Sequence, residues 1–191
     1  MRKIGIQEIE DIALGAALLG AGGGGDPYIG KLTAIGAVKE CGEVELIGID
    51  EVPDGAFIMP AASMGAPTIL AEKGVGANEF AKLFDMVSRY YGKPIYATMP
   101  IEAGGVNSML PIAAAARLGI PMVDVDGMGR AFPELQMTTL GINGVKGQPA
   151  VMADEKGNTV TVRAIDDKWL ERISRQATSV MGGYTILASY P

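Results

Sequence analysis

The stretch Pro94–Val125, PIYATMPIEAGGVNSMLPIAAAARLGIPMVDV, decides the fold. Pro94 to Met99 reads as a short apolar strand. Pro100 to Gly105 is a glycine loop. Val106 to Leu118 is an alanine-rich run at helical length, stopped by Gly119, and Ile120 to Val125 is apolar and short again. Strand, loop, helix and strand in succession form the unit of a parallel sheet, because a parallel partner strand can be reached only by a crossover.

Outward from that unit the alternation continues. Upstream, Ala56–Pro60 (AFIMP) reads as a buried strand that runs into a loop of small residues, Ala61–Thr68, and a helical turn at Ile69–Lys73. Asn78 then caps a helix from Glu79 to Tyr91, with Phe80, Leu83, Phe84, Val87 and Tyr91 as its core stripe. Val44–Ile49 is a further strand. Two helices come first. Gln7–Leu19 places Ile9, Ile12, Ala13, Ala16 and Leu19 on one face, and Tyr28–Glu40 follows an Asp26–Pro27 start signal. Downstream, Thr138–Val145 reads as a strand. Gln148–Asp154 and Thr159–Ala164 flank a turn, Glu155-Lys156-Gly157-Asn158, as a hairpin. Asp166–Val180 is a helix with Trp169, Leu170, Ile173 and Ala177 facing inward, and Tyr184–Ser189 is a last strand. The reading is one α/β domain over residues 1–191, with a largely parallel sheet, helices on both faces and a β-hairpin near the C-terminus.

Composition narrows the chemistry. The 191 residues are 48% hydrophobic and 20% charged, with a net charge of −6 and no basic, aromatic-interleaved run. Nucleic acid is therefore not an expected partner. No apolar run reaches the roughly 20 residues of a membrane helix. The single cysteine, Cys41, excludes an internal disulfide and suits a reducing cytoplasm. It lies near a helix end and reads as a buried or half-buried thiol rather than a nucleophile. Histidine is absent, which removes histidine-based triads and zinc motifs from this chain.

In parallel sheets, ligands bind outside the carboxyl ends of the strands. Three loops fall there: Ser63-Met64-Gly65, Glu102 to Asn107, and Asp124 to Arg130. The last lies in MVDVDGMGRAFPELQ, Met122–Gln136, where two acids, two glycines and a base gather as a strand stops. Asp124 and Asp126 occupy alternate strand positions, which point to one face and suit a metal. Each residue has a plainer role as well. Asp126-Gly127 makes a turn. Arg130 and Glu134, four apart at the start of a short helical segment, form an i,i+4 surface pair. Ser63 and Asn107 serve as helix caps. The Gly22–Gly25 run resembles a dinucleotide loop, but a helix and not a strand precedes it. It reads as a tight turn between helices, or as a loop offering backbone N–H groups to an anion.

Three segments carry a family resemblance: AGGGGDPY (Ala21–Tyr28), PIEAGGVNS (Pro100–Ser108) and DVDGMGRAFPELQM (Asp124–Met137). Together they resemble the N-terminal domain of the S-methyl-thiohydantoin desulfurase family, over nearly the whole chain. The resemblance implies a cytoplasmic, hydantoinase-associated enzyme acting on a small five-membered ring. It would replace the sulfur substituent between the two ring nitrogens with oxygen from water. It also implies zinc as a divalent metal, whose imidazole ligands this chain could not supply, and a second, largely β domain beyond Pro191. Two readings stay open: a hydrolytic enzyme or its N-terminal half, and a non-catalytic scaffold completed by a separate C-terminal chain. A homo-oligomer is a further expected partner state. In that chemistry Glu102, Asp124 and Asp126 are the candidate acids and bases, with Asp124 and Asp126 the metal candidates. Asn107, Ser108 and Ser63 would hold ring carbonyls and N–H groups, Gly24 and Gly25 would offer backbone, and Arg130 would take a substrate carboxylate.

Overall fold

The protein is described by a computed structural model over residues 2–21, 23–76 and 79–191. Its strands are β1 (Arg2–Ile4), β2 (Val44–Ile47), β3 (Ile58–Gly65), β4 (Ala97–Pro100), β5 (Met122–Val123), β6 (Ala150–Ala153), β7 (Thr159–Val162) and β8 (Tyr184–Ala188). They form one sheet in the order β1-β2-β5-β4-β3-β8-β6-β7. β2, β5, β4 and β3 are parallel neighbours. β1 adds antiparallel beside β2, and β8, β6 and β7 add antiparallel beside β3. The sheet is thus parallel where helices carry the crossovers and antiparallel where hairpin-like returns extend it. The β6–β7 hairpin forms as its turn residues predict. The Asp154 carboxylate accepts from the N–H groups of Lys156 (3.0 Å) and Asn158 (2.8 Å).

The helices are α1 (Ile6–Leu19), α2 (Pro27–Cys41), α3 (Pro67–Lys73), α4 (Glu79–Tyr91), α5 (Leu110–Leu118), α6 (Thr139–Ile142) and α7 (Asp167–Val180). They cover both faces of the sheet. On one face, Phe80, Leu83, Phe84 and Val87 of α4 and Leu110 and Ala114 of α5 pack on Met59, Ala61, Ile186 and Ala188. Each buried side chain of Leu or Phe size contributes about 1.5–3 kcal/mol. α1 and α2 extend this layer over β1 and β2, with Ile9, Ala13, Ala34 and Ala37 against Ile4, Val44 and Ile112. On the other face, Leu170 of α7 packs with Ala62, Met64, Met152 and Leu187. Asp26 caps α2 through Tyr28 N–H at 2.9 Å, with Pro27 opening the helix. Asn78, expected to cap α4, lies outside the described residues.

Several segments differ from the sequence reading. Thr138–Val145 is not a strand: the Thr138 hydroxyl accepts from Gly141 N–H at 3.0 Å and starts the short helix α6. β3 runs on through Ser63 to Gly65, because β8 returns antiparallel and pairs Ala61–Gly65 with Ala188–Tyr184. A pairing more than a hundred positions away in the chain is invisible to local pattern. α7 is rotated from its expected face. Trp169 and Ile173 are 45% and 42% exposed, while Glu171, Ser174 and Thr178 are buried with Leu170. Polar anchors set that rotation: Glu171 accepts from Leu135 N–H at 3.0 Å, and Thr178 shares a 3.0 Å hydrogen bond with Thr185 on β8.

Candidate active site

Beyond the carboxyl ends of β3, β4 and β5, three loops are stacked backbone on backbone. Val106 N–H donates to Gly24 O at 2.7 Å, Gly127 N–H to Ile101 O at 3.1 Å, and Ala131 N–H to Leu19 O at 3.3 Å. Glycine makes this approach possible. A Cβ on Gly105, whose φ is +59°, would lie 2.2 Å from Gly24 O, and one on Gly127 would lie 2.5 Å from Ile101 O. The glycine run between α1 and α2 therefore serves as a tight helix–helix turn pressed against the loop after β4. Gly22 of that run lies outside the described residues.

The stacked loops leave a cleft of about 370 Å³, a usual size for a small-molecule site. Glu102, Asn107, Ser63, Arg130, Gly24 and Gly25 all line it. Glu102 and Asn107 are 4% and 6% exposed. Asn107 Nδ2 donates to Glu102 Oε1 at 2.5 Å, and Phe132 N–H donates to Glu102 Oε2 at 2.7 Å. Asn107 Oδ1 accepts from both the backbone N–H (2.8 Å) and the hydroxyl (2.9 Å) of Ser63. Burial holds the Glu102 carboxyl above its ordinary range. The two donors oppose that shift, and the Asp126 carboxylate adds to it. A carboxyl whose protonated form is favoured by burial is suited to act as a general acid and base.

The remaining predicted residues divide into braces and outsiders. Ser108 is buried and accepts from Gly104 N–H at 2.6 Å, so it shapes the loop without lining the cleft. Asp126 braces two loops, accepting from the N–H groups of Ala103 (2.9 Å), Met128 (3.0 Å) and Gly129 (2.5 Å). Asp124 lies apart from the cleft-lining residues. Its side chain is 51% exposed and pairs with Arg2 of β1. β5 ends at Val123, so strand periodicity does not reach either acid, and the two have separate partners: Asp124 pairs with Arg2 while Asp126 is held by backbone N–H groups. Among the described residues no three acid or thiol side chains gather to hold an ion, so the donor set does not fit the zinc that the resemblance implies.

Other plain readings also change. Residues 130–134 form no helix. Arg130 Nη1 donates to Ala131 O at 2.7 Å, while Glu134 accepts from Gln136 at 2.5 Å. Asn107 does not cap α5, because its amide is committed to Ser63 and Glu102. Cys41 is exposed at the end of α2 rather than buried.

Two lining residues were not anticipated. Arg175 of α7 pairs with Glu171 and donates to Pro133 O at 3.1 Å, which ties α7 to the loop over the cleft. Tyr184, at the start of β8, stands in the cleft wall with its phenol buried. Nothing local marks either one: Arg175 reaches the cleft only through the rotation of α7, and Tyr184 only through the pairing of β8 with β3.

A family model described as S-Me-THD-like, N-terminal domain, matches residues 7–164. No curated protein matches the chain. The fold is similar to an X-ray crystal structure of a protein from Chromobacterium violaceum, with a TM-score of 0.80 and 24% sequence identity. The likeness covers 100% of this chain and 54% of that one, so the chain spans about half that protein's length. Among the described residues, no helix is long and apolar enough to cross a membrane.

Proposed function

The chain belongs to the S-Me-THD-like family through its N-terminal domain, and from that membership and the cleft we propose that it binds a thiohydantoin-type ring and takes part in hydrolytic removal of its sulfur substituent. The observation that carries this reading is Glu102: a buried carboxyl, raised in pKa, fixed by Asn107 and facing a small cleft.

The chemistry balances on that one group. The substrate carbon lies between two ring nitrogens and bears a methylthio substituent. Protonated Glu102 donates to the adjacent imine nitrogen and makes the carbon electrophilic. Water adds, and the carboxylate takes its proton. As the adduct collapses, Glu102 returns that proton to the departing sulfur and receives the hydroxyl proton. The products are a hydantoin and methanethiol, and Glu102 ends protonated as it began. Asn107 has a second Nδ2 hydrogen free for a ring acceptor, and Ser63 keeps the amide turned that way. Arg130, with no carboxylate partner in the fold among the described residues, is available to an anionic ring substituent.

A second reading keeps the ring in the same cleft but takes the remaining chemistry from another domain or polypeptide. The single fact favouring it is that the chain spans 54% of its structural relative. The test measures hydantoin binding by calorimetry, and methanethiol release from an S-methyl-thiohydantoin with a thiol reagent. Release that falls about a hundredfold or more in Glu102→Gln supports the hydrolytic reading. Binding without release supports the shared-site reading. If the protein neither binds nor hydrolyses, both are wrong.

A further inference from the structure

The run from Ile12 to Gly25, IALGAALLGAGGGG, holds no polar or charged side chain. A helix that is apolar all round is normally buried on every side. The C-terminal part of α1 breaks that rule. Ala13 and Ala16 face the core, while Leu14 and Leu18 point away from it and stand 78% and 77% exposed. The two leucines lie one turn apart on a single outer face. Gly15, Ala17 and Ala21 beside them are small and exposed as well.

α2 extends the bare surface. Lys31 of α2 bridges to Glu10 of α1 at 2.8 Å. Leu14 lies one turn from Glu10 and Tyr28 about one turn from Lys31, both toward the tight turn that joins the helices, and Leu32 stands next to Lys31. Tyr28 and Leu32 are half exposed. Together these side chains show on the order of 500 Å² of mainly apolar surface, a size that on a monomer is often functional. Glu10 and Lys31 neutralise each other at its edge, so the patch is neutral on a chain of net charge −6. Acidic surface repels a like chain, and here that repulsion is least. Gln7 and Asp11, hydrogen-bonded to each other at 3.2 Å, supply a polar rim at the start of α1.

We propose that this face is a twofold interface between two copies of the chain, with α1 packed antiparallel on α1 of the partner. Identical surfaces meet about a twofold axis only where they are self-complementary. With the axis between positions 14 and 18, Leu14 meets the partner's Leu18, and Leu18 meets the partner's Leu14. The small residues beside them let the helix axes approach closely. Tyr28 and Leu32 widen the contact toward the roughly 800 Å² per partner of a stable interface. Ala21 and Gly23 to Gly25 line the cleft, so antiparallel packing sets the start of the partner's α1 beside the cleft mouth. Nothing in the pairing depends on what the cleft binds.

Sedimentation equilibrium of the whole chain is the test. Wild type at about 10 μM has twice the chain mass. Leu18→Arg buries two unpaired charges, one from each copy, and weakens the dimer about a hundredfold or more. Its far-UV circular dichroism is unchanged, because Leu18 faces solvent in the single chain. Leu14→Gln weakens the dimer about tenfold without adding charge, which keeps the test decisive if Leu18→Arg disturbs the helix. Val180→Arg, on α7 and at least as exposed, leaves the dimer intact. A wild type that stays monomeric at about 100 μM overturns the interface. So does a dimer that survives both α1 substitutions, or one that Val180→Arg dissociates as readily as Leu18→Arg.

Discussion

Two carboxylates follow neighbouring parallel strands and meet opposite fates. Glu102 leaves β4 and turns inward, accepting hydrogen bonds from Asn107 and Phe132 in a buried wall. Asp124 leaves β5 and turns out to a half-exposed pair with Arg2. Strand-end position is the same for both, so position does not select the site. What differs is the loop that follows. After Glu102 come Gly104 and Gly105, which let the α1–α2 turn close over the chain and exclude water. After Asp124 the chain goes on to Asp126, whose Oδ2 accepts from three backbone N–H groups.

The comparison breaks most visibly at the glycines. Gly105→Ala meets both a positive φ and a Cβ 2.2 Å from Gly24 O. Strain and overlap together should cost about 3 kcal/mol or more. Gly129→Ala, in the loop after β5, has a positive φ but open space around its Cβ. It should cost only about 1 kcal/mol. Urea unfolding of the two variants measures the difference. Equal costs would mean that the stacking of Gly105 on Gly24 does not hold the site together.

Asn107→Ala comes next. It strands Ser63 N–H and hydroxyl and leaves Glu102 with one donor, so about 2 kcal/mol of stability should go with it. Asn107→Asp also tests the chemistry, because it places a second carboxyl against Glu102 at hydrogen-bond distance. Loss of stability should then grow as pH rises and both groups seek to ionise.

These residues also show how far sequence reaches. The crossover unit from Pro94 to Val125 was legible, and with it the parallel core, because apolar runs of strand and helix length bounded by glycine and proline admit few alternatives. The core stripe of α4 and the hairpin at Glu155–Asn158 were legible for the same local reason. Glu102, Asn107, Ser63 and Arg130 were placed near the ligand end by the strand-end rule alone. What was hidden depends on partners distant in the chain. β3 is lengthened through Ser63 by β8, and α7 is turned by Glu171 reaching Leu135. α6 is a helix because Thr138 caps it. The outward turn of Asp124 is hidden for a different reason: β5 ends at Val123, so strand periodicity does not reach it.

The pH dependence of folding tests Glu102 directly. The folded Glu102 carboxyl titrates above its ordinary value of 4.5, chiefly through burial. Its protonated form is therefore favoured by folding. That contribution is fully present below pH 4.5 and is lost as pH rises through the folded value. Glu102→Gln cannot ionise, so its stability relative to wild type should improve as pH rises above 4.5 and level off once the folded value is passed. Thermal unfolding across that range gives the slope. A flat difference would mean that Glu102 titrates normally, and its role as proton carrier would fall with the shift.

The smallest expected effect belongs to Asp124→Asn. Its pair with Arg2 joins side chains that are 51% and 67% exposed. Water screens such a pair, and holding two flexible side chains together costs entropy, so its net worth is about 0–0.5 kcal/mol. Added salt should erase even that. The substitution also leaves the cleft untouched, since the side chain is not among the lining residues. Methanethiol release and hydantoin affinity should both match wild type, while Glu102→Gln loses turnover. If Asp124→Asn lost turnover to the same degree, the acid after β5 would belong to the chemistry, and the distinction between an inward and an outward strand end would be wrong at its root.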